Sequence, residues 1–155
     1  MRFRCCGLAL LSWSALALLS SLSACAPFNS TSPTSSLTGS WYGTSSLDDG
    51  VGSITSYFYL DIQEGSGGAL AGSSMTCTAL DQGNQFSFTG NRSGSAVAMT
   101  VDYLGHPTAY TGTASGDTLR LSSQYDSPQG GHLTFSAALQ RGSRADFASA
   151  CKRVK

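Results

Sequence analysis

The stretch ITSYFYLDI at residues 54–62 decides the fold, because from Phe58 onward an aliphatic or phenylalanine side chain occupies every second position. The even-numbered positions include Ile54, Phe58, Leu60 and Ile62, whereas the odd-numbered positions include Tyr57, Tyr59 and Asp61. A period of two is the signature of a β-strand with one buried face. The stretch therefore predicts a strand whose first set of residues points into a core.

The same alternation recurs along the chain. Its apolar members are Val97, Met99, Val101 and Tyr103, then Leu119, Leu121 and Tyr125, then Leu133, Phe135, Ala137 and Leu139. Shorter strand candidates span residues 37–45, 68–78, 85–91 and 108–114, and turn residues separate them. Only 12% of the residues are charged and 18 are glycine, a composition that favours short strands and tight turns over helices. We count eight strands.

Four of the strand candidates contain a glycine two positions after an apolar residue. These glycines are Gly39, Gly72, Gly90 and Gly112. A missing side chain on the inward face lets a strand coil sharply, as a small closed barrel requires. Because closure also removes the unpaired edges of a sheet, we predict an all-β protein, an eight-stranded antiparallel up-and-down barrel, with a short C-terminal helix over residues 143–154.

The first strand candidate carries the motif Gly39-Ser40-Trp41-Tyr42-Gly43. The motif resembles the Gly-x-Trp opening of calycin barrels, and Leu37 to Tyr42 is similar to the first strand of avidin-type barrels. The calycin resemblance implies that Trp41 closes one barrel end under Arg141, through a cation-to-ring contact. The alternative is that Trp41 is an ordinary core residue and Arg141 a solvated strand end. The tryptophan-walled biotin site of the avidin family does not carry over, since Trp41 is the only tryptophan after residue 24.

The first 24 residues have the pattern of an export signal. Arg2 and Arg4 precede an uncharged run over residues 7–22 that is dominated by Leu and Ala. The run ends at Leu22-Ser23-Ala24-Cys25, which resembles the lipobox of bacterial lipoproteins. The resemblance implies cleavage before Cys25 and attachment of diacylglycerol and palmitate-type chains to that cysteine. An uncleaved signal anchor is the alternative, because about 18 apolar residues can just span a bilayer.

Three segments follow from these patterns. Residues 1–24 form the signal peptide, residues 25–36 the lipidated Cys25 with a flexible Ser/Thr/Pro tether, and residues 37–155 a single barrel domain with its helix. Two or three acyl chains hold a protein stably on a membrane, so we expect it on the bacterial cell envelope. In lipoprotein sorting, an Asp directly after the acylated cysteine retains the protein in the inner membrane. This chain has Ala26 at that position, which implies export to the outer membrane in an organism that has one.

The cysteines favour an oxidising compartment. Of five cysteines, Cys5 and Cys6 leave with the signal and Cys25 is acylated, which leaves Cys77 and Cys151. Two thiols outside the cytoplasm tend to pair, so we predict a disulfide that pins the C-terminal helix to the third strand. Two buried free thiols are the alternative.

A search for catalytic motifs finds no nucleophile elbow, zinc signature, redox cysteine pair or phosphate loop. We interpret His106 and His132 as turn or surface residues, and Asp48-Asp49-Gly50 as a turn, because it lacks the spaced carboxylates of a calcium loop. The sequence thus predicts no catalytic residue, no metal ligand and no cofactor. Without the signal, seven basic residues face nine acidic ones, which disfavours a nucleic-acid partner.

These patterns predict a non-enzymatic, lipid-anchored envelope protein with a structural or interaction role. The protein would be held on the membrane through acyl chains on Cys25. The outward-facing Tyr57 and Tyr59 are candidates for contact with another envelope component. One alternative is a lipocalin-like carrier of a small apolar ligand, and another is a small-barrel protease inhibitor. An eight-stranded barrel holds one small molecule or is filled by its own side chains, and the sequence leaves both open.

Overall fold

The structure is a computed structural model and describes residues 35–78, 82–126 and 131–154. The strands are β1 (Gly39–Asp48), β2 (Ser53–Glu64), β3 (Ala69–Cys77), β4 (Gln82–Ser93), β5 (Ala96–Tyr103), β6 (His106–Ser115), β7 (Thr118–Asp126) and β8 (His132–Arg141). Each strand pairs antiparallel with its chain neighbours, and β8 pairs with β1 to close the barrel. The predicted up-and-down barrel is confirmed. The predicted signal peptide, Cys25 and most of the tether lie outside the described residues.

The two ends of the barrel differ in how they are covered. At one end β1 begins, β8 ends and residues 35–38 lie across the opening, so we call it the closed end and these four residues the plug. The opposite end, where the turns at 49–52 and 104–105 connect strands, is the mouth.

Glycines make the tight coiling of the wall sterically allowed. A Cβ atom would lie 2.0 Å from the carbonyl oxygen of Ala138 at Gly43, and 1.9 Å from that of Arg120 at Gly112. Gly72 and Gly90 are equally close to the neighbouring strand, as predicted. The prediction for Gly39 is wrong, because a Cβ atom there would meet the flexible side chain of Arg141 and not a neighbouring backbone. On β1 the close contact with the neighbouring strand is at Gly43.

The barrel interior contains the main hydrophobic core. Its fully buried large side chains include Trp41, Phe58, Leu60, Ile62, Leu119, Leu139 and Val101. These belong to the inward parity that the sequence predicts. Ile54 is an exception, since 59% of it is exposed: it lies at the mouth end of β2, beyond the packed interior.

A second, smaller core lies outside the barrel wall. The helix α1 (Arg144–Cys151) packs on the outer faces of β1 and β2, and Phe147 contacts the ring of Tyr59 at 5.4 Å between centroids. Tyr59 is consequently buried, so its predicted role as an exposed contact for a partner is wrong. Tyr57 remains half-buried beside it.

The predicted disulfide between Cys77 and Cys151 is confirmed and fixes the C-terminal end of α1 to β3. The helix begins with a capping box, in which the Ser143 hydroxyl accepts from the Asp146 N–H and the Asp146 carboxylate accepts from the Ser143 N–H. Within the described ranges, no helix has the length and apolar character to cross a bilayer.

Candidate functional site

The plug closes its barrel end through Leu37 and Trp41. Leu37 is only 1% exposed, and its carbonyl accepts a 2.8 Å hydrogen bond from the indole Nε1 of the fully buried Trp41. The indole thereby satisfies its polar atom within the core. Trp41 is therefore the base on which the plug lies.

Arg141 holds the outer side of the plug. Its guanidinium carbon lies 4.4 Å from the Trp41 ring centroid, within range of a cation–π contact. The same group donates to the carbonyls of Thr38 and Ser36, and its Nε lies 3.2 Å from the Asp117 carboxylate. The structure thus places Trp41 and Arg141 together at the closed end.

Glu64 and Arg92 hold the inner side of the plug. The Glu64 carboxylate accepts from the Leu37 N–H at 2.6 Å and from the Ser36 hydroxyl at 3.0 Å. Arg92 is 8% exposed, lies 3.4 Å from Glu64, and donates to the Ser35 carbonyl at 2.8 Å. Ser35 and Ser36, assigned to the tether from sequence, are thus bound to the barrel.

These contacts set the charge state of Glu64. Partial burial alone raises the pKa of its carboxyl, but the hydrogen bonds from Leu37 and Ser36 and the charge of Arg92 outweigh it. The pKa of Glu64 consequently lies below its ordinary value of 4.5. The plug is held by a carboxylate that stays ionised.

Aromatic rings separate the closed half of the interior from the mouth half. Phe58, Tyr110 and Phe135 contact one another with centroid distances of 6.1, 5.3 and 5.2 Å, and all three are buried. On the mouth side, Phe86 and Tyr103 pack edge to face at 4.8 Å and are only half-buried. We call the first three rings the aromatic floor.

Paired hydroxyl groups lie on the mouth side of this floor. The hydroxyls of Tyr103 and Tyr110 are 2.7 Å apart and hydrogen-bonded. Burial raises the pKa of both phenols, although for Tyr103 the hydrogen bond with Tyr110 acts in the opposite direction. Both groups therefore remain neutral near pH 7, and each keeps further hydrogen-bonding capacity.

Buried serines complete the polar lining of the interior. Ser45 and Ser56 share a 2.7 Å hydrogen bond, and Ser123 donates to the Ala109 carbonyl at 2.6 Å. Ser74 donates weakly to the Phe86 carbonyl at 3.4 Å. Ser56 and Ser123 were not predicted from the sequence, because only their parity within each strand distinguishes them from the many exposed serines.

The mouth rim carries exposed apolar side chains. The exposed fractions of Val51, Ile54 and Leu104 are 97%, 59% and 88%, and these are the large apolar residues exposed in the described part of the chain. Leu104 also adopts a left-handed backbone conformation with φ of 57°, which is unfavourable for a branched residue. The rim thus differs from the polar outer wall.

Two surface concavities lie on the outer wall rather than inside the barrel. One, of about 300 Å³, is lined mainly by Thr, Ser and Ala side chains of β1 and β8; the other, of about 340 Å³, lies on β4, β5 and β6. Small side chains line the first, whereas the lining of the second also includes Met99 and Tyr110. We take the mouth half of the interior as the candidate site, because aromatic rings and paired hydroxyl groups meet there.

The aspartates and the histidine considered from the sequence as possible ligands lie at the mouth rim. The Asp48 and Asp49 carboxylates accept from turn N–H groups, at 2.7 Å from Gly50 for Asp48. His132 Nδ1 lies 2.7 Å from the Asp126 carboxylate, an acidic neighbour that the sequence spacing did not reveal. Both members of that pair are exposed. Residues 35–78, 82–126 and 131–154 contain no cluster of three potential metal-binding side chains.

Comparison with known proteins supports the fold. The DFHBI-bound protein EF1p2_mFAP2b is similar with a TM-score of 0.51 and 14% identity, over 68% of this chain and 94% of its own. A redesigned β-barrel and lobster apocrustacyanin A1 give TM-scores of 0.43 and 0.42 at 19% and 14% identity. These two matches cover 69% and 76% of this chain, and 92% and 68% of their own. No protein-family model and no curated protein matches the sequence.

Proposed function

We propose that this protein is a lipid-anchored binding protein of the bacterial cell envelope. Its mouth half would take a small uncharged molecule with a flat apolar face and a hydrogen-bonding group. The observation that carries the proposal is the aromatic floor, with the Tyr103–Tyr110 hydroxyl pair on its mouth side and half-buried Phe86 above. Such a lining, apolar with a few convergent polar groups, is typical of small-molecule sites.

We expect an uncharged ligand, because the side chains that line the mouth half of the interior are uncharged. Arg92 is the one charged residue among the buried residues of the described chain, and it lies at the closed end with Glu64. The lining hydroxyls stay neutral, since burial raises the pKa of Tyr103 and Tyr110. A buried charge without a partner is costly, so a charged ligand would lose affinity in this half of the barrel.

A protein with a similar fold supports the proposal of a small-molecule site. EF1p2_mFAP2b has this fold and is described in complex with DFHBI, so a barrel of this kind is able to hold a small molecule. The packed closed half restricts the ligand to the mouth half.

We propose the lipid anchor because of the lipobox resemblance at Cys25. The disulfide supports a location in an oxidising compartment. Disulfides persist in oxidising environments such as the cell envelope and are rare in the cytosol. The outer membrane remains our expectation for an organism that has one.

A role in contact with another envelope protein is the second candidate. The exposed Val51, Ile54 and Leu104 favour it, because apolar side chains exposed at a rim suit an interface. The two roles share the mouth, and a ligand titration separates them.

The binding role is tested on a chain that starts at Ala26 and lacks the acylated cysteine. Titration with the uncharged planar dye Nile red should give saturable one-to-one binding with blue-shifted emission. Leu47→Trp should weaken binding at least tenfold, because Leu47 is half-buried against the core at the mouth and a larger ring there occupies the site.

The matched control is Ser46→Trp, which adds the same ring one residue earlier on the outer wall, where Ser46 contacts Ser136. It should bind the dye as the parent does. Absence of saturable binding by the parent, or equal loss in both variants, would contradict the ligand role and leave the interaction role.

A further inference from the structure

The hydroxyl pair of Tyr103 and Tyr110 has one hydrogen more than its own bond uses. Two phenols carry two hydroxyl hydrogens, and the 2.7 Å bond between the two oxygens takes one of them. Within residues 35–78, 82–126 and 131–154, neither phenol forms a second hydrogen bond. The pair therefore has one O–H hydrogen to donate to a ligand.

The buried serines of the interior are less available to a ligand than this pair. Ser123 already donates its hydrogen to the Ala109 carbonyl. Ser45 and Ser56 have one hydrogen left after bonding to each other, but both residues are buried. Tyr103 is only half-buried and lies at the mouth end of β5, so a ligand that enters through the mouth meets its phenol before these serines.

Burial also favours one direction for the bond within the pair. Tyr110 is 3% exposed, and its ring is held in the aromatic floor with Phe58 and Phe135. If Tyr103 donated to Tyr110, the remaining hydrogen would lie on the buried oxygen, where a donor without a partner is costly. Donation from Tyr110 to Tyr103 instead leaves that hydrogen on the half-buried phenol. A hydroxyl that accepts a hydrogen bond is also polarised into a stronger donor.

A third phenol lies on the same side of the interior. Tyr125 is half-buried at the mouth end of β7, and β5, β6 and β7 are neighbours in the barrel. Burial raises the pKa of Tyr125, as it does for Tyr103 and Tyr110, so all three phenols keep their hydrogens near pH 7. The half-buried ring of Phe86 packs against Tyr103 and puts an apolar surface beside them. The mouth half thus combines neutral O–H donors with an aromatic face.

We infer that the ligand is a flat aromatic molecule with a carbonyl oxygen at its edge, as in aryl ketones and quinones. This oxygen accepts a hydrogen bond from the Tyr103 hydroxyl, and the ring lies against Phe86. The inference rests on the proposed function and specifies the chemistry of the same site. A carbonyl accepts without bringing a hydrogen of its own, whereas a ligand hydroxyl would bring a second donor to phenol oxygens that are already bonded. A carboxylate would lack a buried counter-charge there, because Arg92 lies at the closed end.

Displacement of Nile red by two matched compounds tests this inference on the chain that starts at Ala26, which contains the whole closed barrel. Fluorenone and fluorene have the same flat ring system, but only fluorenone carries a carbonyl oxygen. The ratio of the fluorene Kd to the fluorenone Kd measures the contribution of that oxygen, and each variant is calibrated with its own Kd for the dye. We expect this ratio to fall about three- to tenfold in the double variant Tyr103→Phe with Tyr110→Phe, which corresponds to the loss of one hydrogen bond.

The double variant removes both hydroxyls of the pair and so leaves neither without its partner. Tyr110→Phe alone should keep most of the ratio, because Tyr103 still donates to the ligand. Tyr57→Phe is the matched control, since it removes the same atom from the second core outside the barrel wall, and it should keep the ratio of the parent.

An unchanged ratio in the double variant overturns the inference and leaves the proposed binding role intact, and so does fluorenone that fails to displace the bound dye. A similar fall in Tyr57→Phe also overturns it. A loss in Tyr110→Phe as large as in the double variant overturns the assignment of the donor to Tyr103. A parent that does not bind Nile red overturns the binding role and the inference together.

Discussion

Glu64 shows how one residue fastens the segment that precedes the barrel. Its side chain is 16% exposed and accepts from Leu37 and Ser36 while facing Arg92, which is 5% exposed at its side chain. Removing the carboxylate leaves a buried guanidinium with its main counter-charge missing, which is costly in a protein interior. The residue is thus more important than its place at a strand end suggests.

We expect Glu64→Gln to lower the free energy of unfolding by about 1 to 3 kcal/mol near pH 7. Because the folded-state pKa of Glu64 is lowered, this contribution is present above the ordinary value of 4.5 and is lost as the pH falls through the folded value. Urea unfolding should therefore show a difference between parent and variant at neutral pH that shrinks in acid.

Asp117→Asn is the control, since Asp117 pairs with Arg141 but its side chain is 82% exposed. Solvent screens such a pair, so the variant should unfold close to the parent. A Glu64→Gln penalty that stays constant down to acid pH would show that the charge of Glu64 has no part in holding the plug.

The strands illustrate what sequence patterns reveal about elements and what they miss. The period-two alternation located four of the strands, because each must bury one face, and the turn residues between shorter segments located the other four. It placed Ile54 in the core wrongly, since parity says which way a side chain points but not where along the strand the packed interior ends. It also took Tyr59 as exposed, because the covering helix packs through a tertiary contact that strand periodicity does not contain.

The candidate site was harder to predict than the fold. Trp41 and Arg141 could be paired from a family motif, whereas the Tyr103–Tyr110 hydroxyl pair depends on the register of β5 against β6. Ser45 and Ser56 likewise meet only because β1 and β2 pair residue for residue. The register of neighbouring strands is set by the turns and by closure of the barrel. The alternation of residues along one strand therefore does not predict these contacts.

The coiling glycines give a prediction at the level of the strand. Gly112→Ala places a Cβ 1.9 Å from the Arg120 carbonyl oxygen, and the two strands are unable to separate without breaking the closed ladder. We expect destabilisation of about 3 kcal/mol, the upper end of the range for overpacking. Thermal unfolding followed by circular dichroism measures it.

Gly52→Ala provides the comparison, because nothing lies within 4 Å of the added methyl group and the backbone there is not left-handed. Its unfolding temperature should match that of the parent. Equal behaviour of the two variants would mean that the wall has room for a methyl group at Gly112, contrary to its close approach to Arg120.

At the level of the whole molecule, the disulfide joins the last element to the barrel wall. Cys77 and Cys151 enclose a separation of 74 residues, so the bridge restricts much of the unfolded chain. In the chain-entropy account this contributes about 4 kcal/mol to stability. The buried contact of Phe147 with Tyr59 adds packing to the same attachment.

Replacing both cysteines, as Cys77→Ala with Cys151→Ala, should therefore reduce the free energy of unfolding by about 4 kcal/mol. Reduction of the parent should give the same loss, whereas the double variant should not respond to reductant. Urea titrations with and without reductant supply all four values. A parent whose unfolding is unchanged by complete reduction would argue against this role of the bridge.

The plug also determines how mechanical load would enter the barrel. Tension along the tether reaches Ser35, Ser36 and Leu37 and divides there among Arg92, Arg141 and Glu64, which belong to three strands spaced around the circumference. A pull is thus shared by several strands at once instead of peeling β1 from its neighbours. The opposite rim is far from this load path, so the mouth half of the interior would keep its shape while the barrel is pulled from its closed end.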